Sequence, residues 1–272
     1  MLQNIFFLFF QTILSSKELR PIKFGAFNVK SFGVAKVQRP KVLKSLTKIL
    51  LRYDVVLLQE IRDKSLFAVE RLHESLNKYH PYKVIVSQPE GRSRYKEQYA
   101  YFFRESHFEY FKSSVYPDPK DHFERNPFLF HIRPKHSRKG LFIVGAHIKP
   151  SDAVNEIKAL EDVYAYGSRY FKNKEAIIMG DLNADCSYMN NNELDRAFFN
   201  TSDFFHNVIP RSTDTTTKDS TDCAYDRIIL TNDLFFSKES PKVFNFLKEL
   251  NLTEDEALQI SDHFPVEVTL YL

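Results

Sequence analysis

The sequence contains no tryptophan, only seven glycines and only two cysteines among its 272 residues. So few glycines exclude collagen-like and glycine-rich low-complexity chains. With 43% hydrophobic and 27% charged residues, the composition also excludes an intrinsically disordered chain. No linker-like stretch or internal repeat divides the sequence, so residues 17–272 are predicted to form one domain with a sizeable core.

The chain also lacks a strong excess of either charge, because 38 Lys and Arg stand against 35 Asp and Glu. Proteins that coat nucleic acid by charge alone usually carry a larger basic excess. The net charge of +3 still suits an enzyme that grips a polyanion, holds a metal with carboxylates and then releases its product. Charge by itself therefore does not decide the function.

Long apolar runs are missing too, since a helix needs about 20 apolar residues to cross a bilayer. The run at residues 5–14 is uncharged but too short for this. It resembles the core of a signal peptide that ends at Ser15 and Ser16. We therefore predict that residues 1–16 are a signal peptide and that the protein is secreted or resides in the endoplasmic reticulum. The alternative is a buried N-terminal strand or helix.

In a secreted chain, the two cysteines Cys186 and Cys223 favour one disulfide. The alternative is a pair of buried thiols.

Hydrophobic periodicity predicts an alternation of strands and helices. The apolar runs 55–58 and 176–179 are typical of strands that are buried on both faces. Helices are predicted at 40–53, 64–79 and 153–170, the last with Ser151 as its N-cap. Further strands are predicted at 22–29, 82–87, 99–104, 108–116, 128–132, 141–148, 227–231 and 266–270. This order predicts mixed sheets with helices outside, and the polar segment 213–222 is predicted to be an exposed loop.

Polar residues stand where the predicted strands begin or end. They are Asn28, Gln59, Glu60, His147, Asp181, Asn183, Asp262 and His263. Because α/β proteins place ligand sites on such loops, we expect these side chains to form one site. Carboxylate and amide oxygens are hard ligands that suit Mg²⁺, Mn²⁺ or Ca²⁺ better than Zn²⁺. The sequence contains neither a glycine-rich phosphate loop nor the serine hydrolase motif G-x-S-x-G.

Seven segments occur in order between residues 22 and 270: FNVKSFG, LLQEIRD, GRSRYKEQY, HIKPSDAV, GDLNADCSY, CAYDRI and SDHFPVE. Together they resemble the motifs of the deoxyribonuclease I family, which lies within the endonuclease/exonuclease/phosphatase superfamily. The pieces GD-x-N and SDH mark only the superfamily, whereas YKE, PSDAV, NADCSY and CAYDRI together are specific to the deoxyribonuclease I branch.

The resemblance implies an α/β fold, a four-layered α/β sandwich with two packed mixed β-sheets flanked by helices. It implies a monomeric, secreted, divalent-metal-dependent endonuclease that hydrolyses mainly double-stranded DNA with little sequence specificity. The products would carry 5′-phosphate and 3′-hydroxyl ends.

The resemblance assigns catalysis to two histidines, each oriented by a carboxylate: His147 by Glu97, and His263 by Asp226. A carboxylate on each imidazole fixes its tautomer and raises its basicity, which general acid–base catalysis requires.

By the same resemblance, Glu60, Asp181 and Asp262 would hold Mg²⁺ or Mn²⁺ at the scissile phosphate. Asn28 and Asn183 would contact phosphate oxygens or the metal shell.

DNA contacts are implied for four further residues. Arg62 and Tyr95 match residues that enter the minor groove, whereas Arg125 and Tyr188 match residues that contact backbone phosphates.

Structural Ca²⁺ is also implied. One site, near residues 121–123, has Asn126 where a carboxylate would be expected, which puts that site in doubt. A second would use Asp214 with oxygens near Thr216 and Thr221.

Two other classes of protein remain open. Another phosphoesterase of the superfamily would share Glu60, GDLN and SDH, but not YKEQY or CAYDRI. An inactive homologue that binds DNA or actin would lack a histidine or a metal ligand, and none is missing. Actin binding itself stays undecided, because Val86 and Phe128 fall at the founding member's actin contacts but Phe128 replaces a small residue.

Overall fold

The structure, a computed structural model, describes residues 19–272. The predicted signal peptide at residues 1–16 lies outside the described residues. Within 19–272, no helix combines the length and the apolar character that crossing a bilayer requires.

Twelve strands make up two six-stranded sheets in this part of the chain. The strands are β1 (Pro21–Phe32), β2 (Val55–Ile61), β3 (Tyr82–Val86), β4 (Gln98–Arg104), β5 (Phe108–Val115), β6 (Phe128–Pro134), β7 (Leu141–Gly145), β8 (Ala176–Asp181), β9 (Phe205–Asn207), β10 (Asp226–Thr231), β11 (Lys242–Val243) and β12 (Val266–Tyr271). The first sheet has the order β11-β12-β1-β2-β4-β3, and the second has the order β5-β6-β7-β8-β10-β9.

The helices connect these strands. They are α1 (Val34–Val37), α2 (Pro40–Leu50), α3 (Phe67–Asn77), α4 (Ala153–Phe171), α5 (Asn191–Asp195), α6 (Phe198–Thr201), α7 (Phe246–Glu249) and α8 (Glu254–Ile260). Each sheet contains one parallel pair with a crossover that includes a helix, β1–β2 through α2 and β7–β8 through α4. All other pairings between these strands are antiparallel, so both sheets are mixed.

The main core lies between the two sheets, whose inner faces pack against each other. Tyr101 of the first sheet stacks on Phe130 of the second, with ring centroids 4.7 Å apart. A second core joins the outer face of the first sheet to α1, α2, α3, α7 and α8. A third joins the outer face of the second sheet to α4, α5 and α6. The four-layered sandwich that the sequence implied is therefore confirmed.

The helix α4 begins at Ala153, as predicted, but the prediction of Ser151 as its N-cap is wrong. Pro150–Asp152 form a 3-10 turn, so that α4 begins at Ala153 and Asp152 is its N-cap residue, without a side-chain cap hydrogen bond. Proline suits the first position of this turn, because its φ is fixed near the helical value and it has no N–H that needs an acceptor.

The predicted exposed loop at 213–222 is also wrong for its central residues. Thr215, Thr216 and Thr217 are buried. Their polar groups are satisfied internally: the Thr217 amide donates to the Asp262 carbonyl at 2.9 Å, and the Phe264 amide donates to the Thr215 carbonyl at 2.7 Å. Polar composition did not indicate exposure here, because hydrogen-bonded threonines can be buried at little cost.

Candidate functional site

The polar residues at the strand ends meet at one end of the sandwich, where strands of the first sheet pack against strands of the second. Asn28 belongs to β1, Glu60 to β2, Asp181 to β8 and Asp226 to β10. Asp181 and Asp226 are directly opposite one another in the β8–β10 pairing.

Two imidazole–carboxylate pairs span the gap between the sheets. His147 Nδ1, just after β7 of the second sheet, lies 2.8 Å from an oxygen of Glu97, just before β4 of the first. His263 Nδ1, before β12 of the first sheet, lies 2.8 Å from an oxygen of Asp226 in the second. Each pair therefore needs both sheets in place.

Asp181 lies at the centre of the site. The Nε2 atoms of His147 and His263 are both 3.6 Å from its Oδ2 atom. The amide nitrogen of Asn28 donates to the same oxygen at 3.0 Å. The free nitrogens of both imidazoles thus flank a single position beside a buried carboxylate.

Glu60 joins this group through hydrogen bonds from β1. The Asn28 side-chain amide also donates to Glu60 Oε1 at 3.0 Å, and the Ser31 backbone amide donates to Glu60 Oε2 at 2.9 Å. Glu60 and Asn183 have φ angles of 58° and 49°, a conformation that non-glycine residues rarely adopt. Such strained backbone is concentrated at functional sites in proteins.

A glutamine under the site connects the two sheets. Gln59 donates to the Ala146 carbonyl at 2.6 Å and accepts from the Asp181 amide at 3.0 Å. Gly180 permits this close approach, because its φ is +140° and an added Cβ would lie 2.2 Å from the Ala146 carbonyl oxygen. This accounts for the glycine of GDLN.

Burial and neighbouring charges shift the pKa values of three groups in the two pairs. Burial alone would lower the pKa of His263, but the carboxylates of Asp226 and Asp181 raise that pKa to about 10. Burial raises the pKa of Asp226. Burial would also raise the pKa of Glu97, but the hydrogen bond and the charge from His147 hold it below the ordinary value.

Asp262 is oriented by a lysine rather than by the other predicted ligands. Lys30 Nζ lies 2.6 Å from Asp262 Oδ2. Burial would raise the pKa of Asp262, but this contact and the charge of His263 lower it below the ordinary value.

The donor set fits a hard cation. Within residues 19–272, Asp181, Asp226 and His263 each offer a ligand atom within 4.8 Å of one another. Asp226 and His263, however, already contact each other, because the carboxylate of Asp226 lies beside Nδ1 of the imidazole. The carboxylates of Glu60 and Asp181, both bonded to Asn28, are therefore the better pair of oxygen ligands.

The structure also places the residues implied to contact DNA. Arg62 and Tyr95 are both exposed, and the guanidinium lies 5.4 Å from the tyrosine ring centroid. Arg125 is largely covered: its Nε donates to the His147 carbonyl at 3.0 Å. Tyr188 is 39% exposed and packs against Tyr225, with ring centroids 5.3 Å apart.

The Asp214 loop brings its three implied calcium residues together. Asp214 Oδ1 accepts from the Thr216 amide at 2.9 Å, and the Thr216 hydroxyl donates to the Thr221 carbonyl at 2.8 Å. A disulfide joins Cys186 to Cys223, as predicted.

Two further positions that the resemblance singles out, Asp121 and Phe128, have surroundings that do not favour the roles of calcium ligand and actin contact. Asp121, at the doubtful calcium site, is paired with Arg92 at 3.0 Å. Phe128 is buried, so its ring offers little surface to an actin molecule.

Sequence reasoning gave no role to Lys30 or Ser31, although both lie in the FNVKSFG segment. One signal could have indicated a role for both residues: the segment lies at a strand end, next to Asn28.

Comparison with known proteins identifies the family. The Endonuclease/Exonuclease/phosphatase family matches residues 25–263. Deoxyribonuclease-1-like 2 of Mus musculus is 40% identical over 254 residues, 91% of this chain and 91% of the mouse protein. Deoxyribonuclease-1 of Bos taurus is 39% identical over 260 residues, 92% of each chain.

Solved structures agree on the fold. An endonuclease/exonuclease/phosphatase from Bacteroides vulgatus superposes with a TM-score of 0.65 at 15% identity, covering 93% of this chain and 99% of the other. A mannosyl-6-phosphatase of Bacteroides thetaiotaomicron gives 0.61 at 16% identity, covering 92% and 100%. The chain belongs to the endonuclease/exonuclease/phosphatase family and, within it, to the deoxyribonuclease I family.

Proposed function

We propose that this protein is an endonuclease that hydrolyses phosphodiester bonds of DNA. The observation that carries the proposal is the convergence of two imidazole–carboxylate pairs on Asp181 Oδ2. The relatives that share about two fifths of its residues are named deoxyribonucleases, which supports DNA as the substrate.

Proton transfer falls to the two histidines. One imidazole accepts a proton from the attacking water, and the other donates a proton to the departing 3′-oxygen, which leaves 5′-phosphate and 3′-hydroxyl ends. In each histidine Nδ1 is occupied by its carboxylate, so Nε2 is the nitrogen that faces the substrate.

Glu60 and Asp181 would hold Mg²⁺ or Mn²⁺, with Asp262 at the edge of this group beside Lys30. When bound, the cation supplies positive charge next to the phosphoryl oxygens, where negative charge develops. Asn28 keeps the two carboxylates together. The backbone amide of Asn183 donates to Asp181 Oδ1 at 3.0 Å and so fixes the rotamer of Asp181. The proposed role of Asn183 is therefore to keep that carboxylate in place beside the phosphate.

Duplex DNA is the proposed substrate because Arg62 and Tyr95 form an exposed pair suited to a minor groove. Arg125 and Tyr188 would contact backbone phosphates on either side. A structural Ca²⁺ in the Asp214 loop, a monomeric state and secretion complete the proposal.

Another phosphoesterase activity is the competing candidate, because fold neighbours include a phosphatase. Those neighbours share 13–16% identity with this chain, which supports the fold alone.

The test is a plasmid-nicking assay with Mg²⁺, with and without EDTA, together with a bis-aryl phosphodiester and an aryl phosphomonoester as further substrates. We expect nicking that EDTA abolishes and that His147→Ala reduces by about 10²–10⁴-fold. Failure to nick DNA while a phosphomonoester is hydrolysed would favour the competing activity. Undiminished nicking after complete chelation would contradict the metal site.

A further inference from the structure

A lysine behind the site holds two of its loops together. Lys36 lies on α1, and its Nζ atom donates to the carbonyls of Val29 at 2.6 Å, Lys30 at 2.6 Å and Ile260 at 2.5 Å. An ammonium group has three donors, so each N–H has one carbonyl partner. The first two carbonyls belong to residues near the end of β1, and the third belongs to Ile260, the last residue of α8.

The side chain of Lys36 is also half-buried. Burial lowers the pKa of Lys36 to about 8, although the negative charges of Asp262 and Glu60 oppose that shift. A surface lysine that served only to attract DNA would have no reason to lose hydration in this way.

The two segments that Lys36 joins carry both ends of the proposed metal site. Lys30 and Ser31, with φ angles of 33° and 51°, form an unfavourable turn within β1, where the pairing of β1 with β2 shifts register, and this turn presents the Ser31 amide to Glu60. The other segment continues from Ile260 to Asp262, which is paired with Lys30.

We propose that Lys36 is a positioning residue that fixes the turn at Lys30 and Ser31 against the end of α8, and thereby sets Glu60 and Asp262 for cation binding. The proposal rests on the proposed function for the identity of the site. Outer contacts of this kind typically change metal affinity or activity by about 10–100-fold.

Without the ammonium, three carbonyls lose their shared donor and the unfavourable turn loses its support. The Ser31 amide then no longer holds Glu60, and Lys30 no longer holds Asp262 in one place. Both effects weaken the cation site without removing any ligand.

Arg39 offers a matched control for charge. It is exposed and lines the same cavity of about 710 Å³ as Lys36, together with Lys30 and Arg62. Lys36→Met and Arg39→Met each remove one positive charge from this cavity, but only the first removes the three carbonyl contacts.

The experiment measures Mn²⁺ affinity of the metal-free protein by calorimetry or electron paramagnetic resonance, together with kcat and KM on plasmid DNA. We expect Lys36→Met to weaken Mn²⁺ binding and to lower kcat, each by about 10–100-fold, with KM for DNA changed by less than about threefold. Arg39→Met should leave Mn²⁺ affinity and kcat within about twofold of the wild type, because it affects only charge at the surface.

A Lys36→Met protein that folds and keeps wild-type Mn²⁺ affinity would overturn the proposal, and so would equal effects of both variants. If Lys36→Met does not fold, Ser261→Ala tests the same connection, because the Ser261 hydroxyl donates to the Asn28 carbonyl at 2.6 Å. Unchanged Mn²⁺ affinity in that variant would then count against the proposal. If the wild type does not cleave DNA, the proposed function fails, while Mn²⁺ affinity still decides the role of Lys36.

Discussion

Replacing Asp226 by asparagine would test whether the buried charge beside His263 is needed for catalysis. Asp226 is fully buried, and one of its oxygens lies 2.8 Å from His263 Nδ1. Asparagine keeps the shape of the side chain and can still accept a hydrogen bond from Nδ1–H, so the ring can keep its orientation. Only the negative charge is lost.

The size of the effect follows from electrostatics. Opposite unit charges about 4 Å apart attract by about 4 kcal/mol at an effective dielectric constant of about 20. If the positive charge on His263 is needed more in the transition state than in the ground state, losing this attraction lowers kcat by about 10³-fold. If the charge on His263 contributes equally to the ground state and the transition state, the loss in kcat is under about tenfold, because the orientation of the ring is kept.

The assay is steady-state nicking of plasmid DNA at pH 7, with thermal unfolding followed by circular dichroism as the control for folding. We expect a folded Asp226→Asn protein, because burial of the charged carboxylate is itself unfavourable, as its raised pKa indicates. More than one tenth of wild-type kcat in this variant would refute the charge argument.

Three further predictions concern other parts of the site. Arg62→Ala should reduce cleavage of duplex DNA more than cleavage of a bis-aryl phosphodiester, whereas His263→Ala should reduce both alike; equal losses for Arg62→Ala would end the groove assignment. Reduction of the Cys186–Cys223 disulfide should make the adjacent loop sensitive to proteases, because the bond restrains that loop; an unchanged digestion pattern on gels would contradict this. Thr215→Val should lower the free energy of unfolding, measured by urea titration, by about 1–3 kcal/mol, because the buried Thr215 hydroxyl accepts a hydrogen bond from the Tyr225 amide at 3.1 Å. An unchanged urea midpoint would show that this hydrogen bond contributes little.

The long strands and helices could be predicted from the sequence because each carries a full hydrophobic period. The apolar run 55–58 fixes β2, and α2 buries Val42, Leu46 and Ile49 at helical spacing. The short elements could not be predicted. β9 and β11 have three and two residues, too few to show any period, and they form only because a neighbouring strand offers free backbone groups.

The site could be predicted in outline for a different reason. Its residues follow buried strands, so strand position alone indicated that His147 and Asp181 would be close to each other. The contacts between sheets had no local signal. That Glu97 meets His147 and that Asp226 meets His263 follow from the packing of two sheets, and only the family resemblance indicated these partners.

The placement of each imidazole and its carboxylate on opposite sheets has a kinetic consequence. A folding intermediate with one sheet formed, or with both formed but not yet docked, has two histidines without their partners. Helical and strand content can therefore return early during refolding while hydrolysis stays at background. The time course of regained activity would report the docking of the sheets, a step that measurements of secondary structure do not detect.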